Sequence, residues 1–435
     1  MTRQHFPRLN LLPKLLSTLL VICTLAVQAQ VSSSLPKDGL TAALRATLAN
    51  HPAIAGKRAE IQASDYSLGE ARSQRLPSVS LNTAYGEENR ANFNQDEYAY
   101  PTTLRVRQPV WTFGRISNNI EAAEAGLDRE SADLVRVRRE LLTDTALAYA
   151  GVLSARARVA VAEQNLMQLE VLRQQIQRRA AGQLASDADT RLADTRLTQA
   201  KILLSRYRGE VDIARNTLQS LTQLPIVGST PIASGLLQLE ADALLEERVL
   251  KQSAQIQLRK QNVAQARAQV NQTRTSAMPT VYLQAEQFYD QPALRDDSQI
   301  SVVLEAQLDG LGFSTRNRTG AASARQMAAE QELRLAHIQL QRDIRRLQRQ
   351  RTLMGDIVES QRGAVEDLQA LLDSYQRQYE SGSKSWLEVM NIQRELNTER
   401  VLLTDSQNEQ LRYSLELLGL SGELDLLAGL EVNND

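Results

Sequence analysis

Side chains that usually carry chemistry are few in this sequence and badly spaced for it. The single cysteine, Cys23, can form neither an internal disulfide nor a thiolate metal site by itself. The three histidines, His5, His51 and His337, lie far apart, which argues against a histidine metal centre. His51 stands before Pro52 as a turn residue, and His337 sits among solvated charges. No phosphate-cradling Gly-x4-Gly-Lys-Ser/Thr loop is present, no His-Glu-x-x-His and no Gly-x-Ser-x-Gly. These absences point away from an enzyme, from an ATP-driven motor and from any cofactor or metal. With 50 Lys+Arg against 51 Asp+Glu there is no basic excess for nucleic acid. The polar chemistry left is local. Lys384 and Glu388 stand four apart, the spacing of a helix-surface ion pair worth about 0.3 kcal/mol.

The elements that would position such residues are long and helical. Aromatic residues make up 4% of 435, with only 11 Pro and 20 Gly, which suits Ala/Leu/Gln/Arg-rich helices better than an aromatic-centred core. At the start, Arg3, Arg8 and Lys14 precede an apolar run from Leu15 to Val27 and the small-residue site Val27-Gln28-Ala29. That is a secretory signal peptide over 1–29, too short to span a bilayer. Its removal takes Cys23 with it, and a cysteine-free exported chain suits the periplasm or outer membrane of a Gram-negative cell. Bulky Ile22 before Cys23 disfavours lipid attachment there.

The mature chain reads as one unit written twice. LPSVSLNTAY (76–85) answers MPTVYLQAEQ (278–287), and Gly182 answers Gly382. The first unit is 30–222: a helix, a strand pair 76–110, a long helix 115–181 and a helix 187–221. A Pro/Gly/Ser-rich linker, 223–238, joins it to the second, 239–422: a helix, a strand pair 279–311, a long helix 315–381 and a helix 385–418. A tail, 423–435, follows. Apolar residues recur at alternating spacings of four and three, as in Val152, Ala155, Val159, Ala162, Leu166 and Leu169, or Leu197, Ala200, Leu204, Tyr207 and Val211. Such heptads mean coiled-coil packing.

Four segments have period two instead. Val79, Leu81 and Thr83, or Ile300, Val302 and Leu304, alternate with polar neighbours, the pattern of outer-membrane strands. Aromatic residues gather at the strand ends as an interface girdle would: Tyr85, Tyr98, Tyr100, Trp111, Tyr282, Phe288 and Tyr289. Two soluble hairpins packed on the helices are the competing reading, which the export signal disfavours. Four strands cannot close a barrel, and lipid does not tolerate open edges. Several copies must therefore share one: eight strands in a dimer, twelve in a trimer.

The duplicated order, the junction RQPVWTFGR (107–115) and the run G-x5-E-V-M-x-I-x-x-E-L (382–396) resemble the TolC family of outer-membrane channel-tunnels over about 38–422. The second junction, QLDGLGFSTRN (307–317), is a looser match. The resemblance implies a mixed α and β membrane protein. Each chain would give four transmembrane strands to a shared trimeric barrel and coiled-coil helices to a periplasmic α-barrel. It further implies a homotrimer in outer-membrane lipid, docked to a periplasmic adaptor (membrane-fusion) protein and an inner-membrane pump or ABC transporter. The periplasmic end would be held shut and lined by the residues matching Tyr379, Lys384, Glu388 and Asn391. Asn391 replaces an acid of the family pattern, leaving one carboxylate per protomer there, and in the first unit either Asp187 or Asp189 takes the acidic place. Three Glu388 carboxylates around a narrow mouth would favour cations, with bonds from Tyr379 and Lys384 to neighbouring helices holding it closed. Within the family, weak lipid attachment points to a type I secretion outlet for a large adhesin or toxin, with multidrug or small-molecule efflux as the alternative.

Overall fold

A computed structural model of the chain describes residues 39–83, 86–87, 98–99, 102–232, 242–290, 295–307 and 309–430. The targeting segment 1–29, Tyr85, Tyr100 and part of the 223–238 linker lie outside them. Prolines set the plan. None falls between Pro109 and Pro225, and none follows Pro292. Proline in a helix interior removes a hydrogen bond and clashes with the preceding turn, so these are the two stretches free to form long helices.

The first unit runs α1 (Leu40–Asn50), α2 (Pro52–Ser73), β1 (Ser78–Thr83), β2 (Gly86–Glu87), β3 (Tyr98–Ala99), β4 (Thr102–Trp111), α3 (Arg115–Ala181) and α4 (Asp187–Thr222). The second runs α5 (Asp242–Gln252), α6 (Ala254–Thr275), β5 (Thr280–Asp290), β6 (Arg295–Glu305), α7 (Phe313–Glu380) and α8 (Trp386–Ser421), followed by a short α9 (Glu423–Leu427). Corresponding helices have 11 and 11, 22 and 22, 67 and 68, and 36 and 36 residues. That is the duplication in physical form. At 1.5 Å per residue α3 and α7 are each about 100 Å long.

Two features depart from the sequence reading. The helix before each strand pair is two helices. Pro52 cannot continue α1, so His51 takes an extended conformation and its Nδ1 accepts a bond from Ala53 N–H at 3.2 Å. In the second unit Ser253 makes the same break, its Oγ accepting from Ile256 N–H. The segment read as a tail from 423 instead begins with α9, a docked element. Leu424 and Ala428 are buried in one cluster with Leu44, Tyr149 and Leu415, and Arg139 Nε of α3 donates to Asp425 Oδ2 at 2.6 Å.

The four longer strands form one antiparallel sheet in the order β1-β4-β5-β6. β2 and β3 pair in the register that carries the β1–β4 hairpin forward. The two units therefore meet edge to edge at β4–β5, where the register shifts between Pro109 and Trp111. The sheet is inside-out by the standards of a soluble protein. Val79, Leu81, Leu283, Ile300, Val302 and Leu304 share one face and are exposed, Ile300 to 79%. The opposite face is polar and bonded across strands: Arg105 pairs with Glu286, and Arg107 with Glu305 at 2.8 Å. Below the sheet, α3 packs on α2 and α4 of its own unit and on α6 and α8 of the other, while α7 packs on α5, α6 and α8. Among the described residues no helix is long and apolar enough to cross a membrane.

Candidate functional site: the helical tips and the strand face

Far from the sheet, both long helices end in the same turn. Leu184 N–H returns to Arg179 O, and Ser383 N–H to Gln378 O, both at 2.8 Å. The left-handed residue of the turn is Gln183 (φ 59°) in one copy and Gly382 (φ 80°) in the other. Matching Gly182 with Gly382 in the sequence is therefore off by one: Gln183, not Gly182, holds the glycine's place.

The corrected register separates Asp187 from Asp189. Helix α4 begins with a reciprocal cap in which Ser186 Oγ accepts from Asp189 N–H at 3.1 Å and Asp189 Oδ2 accepts from Ser186 N–H at 3.2 Å. Helix α8 repeats it with Ser385 and Glu388, at 3.3 and 2.9 Å. Asp189 is the structural counterpart of Glu388, and Asp187, one residue into α4, is exposed. Both capping carboxylates sit at helix N-termini, where the macrodipole favours negative charge.

The charge at the second tip is not free. Lys384 Nζ lies 2.7 Å from Glu388 Oε1 and 4.6 Å from the centre of the Tyr375 ring. The Lys384 ammonium, with the backbone N–H and hydroxyl of Ser385, holds the Glu388 carboxyl down at about 2, and the same bond raises Lys384. Lys384 thus pairs with Glu388 of its own tip and lays its ammonium on Tyr375 of α7. At the first tip Asp189 is bonded by Ser186, a neutral partner. Asn391 is exposed on α8.

Tyr379 is buried, 9% exposed, against Trp386, with ring centres 5.5 Å apart. Burial pushes its hydroxyl pKa up. Its tie to the neighbouring helix is its own carbonyl and ring face, both met by Arg179 of α3: Nη1 donates to Tyr379 O at 3.2 Å, and the guanidinium carbon stands 4.5 Å over the ring. Sequence reasoning passed over both Arg179 and Trp386. Trp386 carried a signal, since Trp386, Val389, Gln393 and Leu396 continue the four-and-three spacing and all are buried. Arg179 carried none: nothing local in the sequence says that one arginine of Arg178-Arg179 crosses to another helix.

On the strand face the aromatic residues divide. Trp111 is exposed and edge-on to Phe113, and Tyr289 falls on the apolar side with Leu283. Tyr282 and Phe288 do not join a lipid-facing girdle. They alternate with those residues and share the polar face with Gln284 and Glu286. Tyr282 lies under Arg107 at 4.5 Å and its hydroxyl meets Arg115. The strand-end clustering was legible in the sequence, but strand parity decides which side of the sheet each ring occupies. Tyr98 belongs to β3, and its side chain is not among those described. Among the described residues no group of three acidic, histidine or cysteine side chains could hold a metal.

Comparison with known proteins agrees with this geometry. The sequence matches the family model for outer membrane efflux proteins over residues 43–222 and 245–423, once for each copy of the unit. No curated protein sequence matches. Solved structures of the same fold include VceC of Vibrio cholerae (17% identity, TM-score 0.75, covering 88% of this chain and 96% of that one). CmeC of Campylobacter jejuni (12%, 0.76, 91% and 87%) and MtrE of Neisseria gonorrhoeae in its open state (16%, 0.73, 88% each) share it too. With an exposed apolar strand face at one end, helices about 100 Å long beneath it and a match across both halves, the chain belongs to the outer membrane efflux protein family.

Proposed function

We propose that three copies of this chain close one twelve-stranded barrel and one helical tunnel, forming the outlet of a tripartite export system. The observation that carries the reading is the sheet itself. Its edge strands, β1 and β6, each pair on one side only among the described residues, while its apolar face points outward. In lipid such edges must be paired, and a further copy of the same sheet supplies the complementary edge. The helices support the same closure. α3 packs on both its own unit and the other, and the duplication asks α7 to do likewise with the first unit of the next copy. A periplasmic adaptor and an inner-membrane pump would engage the tunnel and favour its open form by binding that form more tightly.

The cargo class is the finer question. The family match, described as one of efflux proteins, supports small-molecule efflux. The poor lipid-attachment context of Cys23 supports a type I secretion outlet for a large adhesin or toxin. We put efflux first. Deleting the gene in its native host, and comparing detergent and dye susceptibility with the secreted proteome, tests both. Efflux predicts heightened sensitivity with an intact secretome, and type I secretion predicts loss of one large extracellular or surface protein with tolerance unchanged. Failure to recover heat-resistant trimers from outer-membrane fractions would reject the outlet reading altogether.

A further inference from the structure

We infer that a cleft at mid-length of the long helices, between α3 and α7, is a binding site for an organic monocation with an apolar body. The topology makes the cleft. Both α6 and α8 pack on α3 and on α7, but α6 begins at Ala254 and α8 ends at Ser421. Where one filling helix stops and the other starts, the two long helices run on and leave a gap between them. The gap measures about 670 Å³, inside the range of roughly 300–1,000 Å³ usual for small-molecule sites. Ala254, Leu258, Leu347 and Leu420 give it an apolar surface, and Ala254 and Leu347 are buried. The position is about 55 Å along α3 from the helical tip.

Charge decides what the cleft accepts. Five carboxylates and four guanidiniums line it, and every guanidinium already has an acid. Arg136 bonds Asp133 and Glu140, both at 2.7 Å, Arg259 bonds Glu332 at 2.7 Å, and Arg346 lies 3.7 Å from Asp343. Arg139 is bonded by Asp425, which is buried and keeps Oδ1 without a hydrogen-bond partner. Among the described residues, Asp144 of α3 and Glu416 of α8 are the lining carboxylates left without an ion pair or a side-chain hydrogen bond. Burial and the nearby Glu140 push the Asp144 carboxyl up, as expected of a negative charge that lacks a counterion. Asp144 is exposed and Glu416 half-buried, so a solute can reach both.

Helix packing does not demand these acids. Counted back from the matching turns and caps at the tips, Asp144 answers Asp343, which Arg342 bonds at 3.2 Å. Glu416 answers Thr217, a neutral residue that bonds Ile213 O within its own helix. The unpaired acids are thus particular to this cleft. Among the described residues no group of three acidic, histidine or cysteine side chains could hold a metal. Two separated carboxylates beside a leucine surface instead suit a larger cation, whose charge meets the acids and whose body meets the leucines.

The inference rests on the fold and not on the channel reading. Its test is fluorescence anisotropy on the purified full-length chain in an uncharged detergent at low salt. The probe is N-methylphenanthridinium, compared with phenanthridine, its uncharged parent. The wild type should bind one cation per chain, about tenfold more tightly than the uncharged parent. D144N and E416Q should each weaken the cation about fivefold, the scale of one partly exposed ion pair, and leave phenanthridine unchanged. L258Q keeps every charge and should weaken both ligands. D367N removes an exposed acid of α7 outside the cleft and should match the wild type. Thermal melts establish which variants fold, and since Asp144 and Glu416 stand on different helices, either folded variant decides. Equal wild-type affinity for the two ligands, a folded D144N or E416Q protein that binds the cation as the wild type does, or a D367N loss equal to theirs would overturn the site. A chain that binds the cation as expected but forms no conducting pore would overturn the channel reading and leave the site standing.

Discussion

At the scale of single residues, capping and ion pairing decide what the tips can do electrostatically. Glu388 is bonded on one oxygen by Lys384 and on the other by Ser385, so most of its field is cancelled within its own helix turn. Removing the cation and removing the anion should then act in opposite directions. In planar bilayers under a salt gradient, K384Q is expected to shift the zero-current potential toward stronger cation preference, by about twofold in permeability ratio. E388Q should shift it the other way. The pH dependence follows from the depressed pKa of Glu388, about 2. A carboxyl whose native pKa is lowered contributes its charge and its capping bonds fully at neutral pH and loses them only as pH falls toward that value. The part of the cation preference that E388Q removes should therefore survive at pH 3.5. In K384Q the largest depressing influence is gone, and the preference should fade at a higher pH. A wild-type preference that titrates away in parallel with the K384Q channel would show that the Lys384–Glu388 bond does not form in the assembled mouth.

At the scale of elements, the short helix α9 shows how firmly the two units and the C-terminal segment are tied. Arg139 of α3 bonds Asp425 Oδ2 and the Gln252 carbonyl at the end of α5, and passes so close to Gly422 that a Cβ there would lie 2.8 Å from its Nη2. Burial pushes the Asp425 carboxyl up in spite of the arginine beside it. A raised native pKa means that protonation is favoured by folding, so this group's contribution is largest at low pH and is lost as pH rises through its native value. Docking of α9 should be firmer under mild acid than at neutral pH, read as slower protease cleavage near residue 422. R139A leaves a buried carboxylate unpaired and should cost about 3–5 kcal/mol at neutral pH, less under mild acid. The double variant with D425N should recover much of that loss. This element also marks the limit of the sequence reading. Long helices, strand periods and the duplication were legible because each repeats a period over many residues. Val152, Ala162, Leu197, Leu204 and Val211, picked out by four-and-three spacing, are indeed buried. The packing of α9, the bond from Arg179 and the face of Tyr282 were not legible, because each depends on one long-range contact or on one residue of register. The glycine match that misplaced the first tip by a single residue is the clearest case: left-handed backbone falls on Gln183, a residue type that does not announce it.

At the scale of the whole molecule, the sheet and the helices make opposite demands on solvent. The helices bury their apolar stripe against one another, while the sheet exposes its own, with Ile300, Val302 and Leu304 between 66% and 79% accessible. A soluble protein would not leave three consecutive outward positions of an edge strand apolar, since that edge would recruit other chains. In the proposed shared barrel the same residues would be satisfied by lipid and the edge by the next copy. The polar residues between them, such as Ser301 and Glu305, would face a water-filled lumen, in line with the cross-strand pair Arg107–Glu305. The two faces of β6 therefore predict two different outcomes for the same substitution one residue apart. V302K places an ammonium in lipid and should cost about 2–4 kcal/mol, seen as loss of heat-resistant trimers from outer-membrane fractions. S301K points the same group into the lumen and should assemble normally, altering conductance but not yield. Equal loss from both variants would mean that β6 is buried on both faces, and equal tolerance that Val302 does not meet lipid. Either result would detach the sheet from the membrane and with it the argument that the chain cannot function alone.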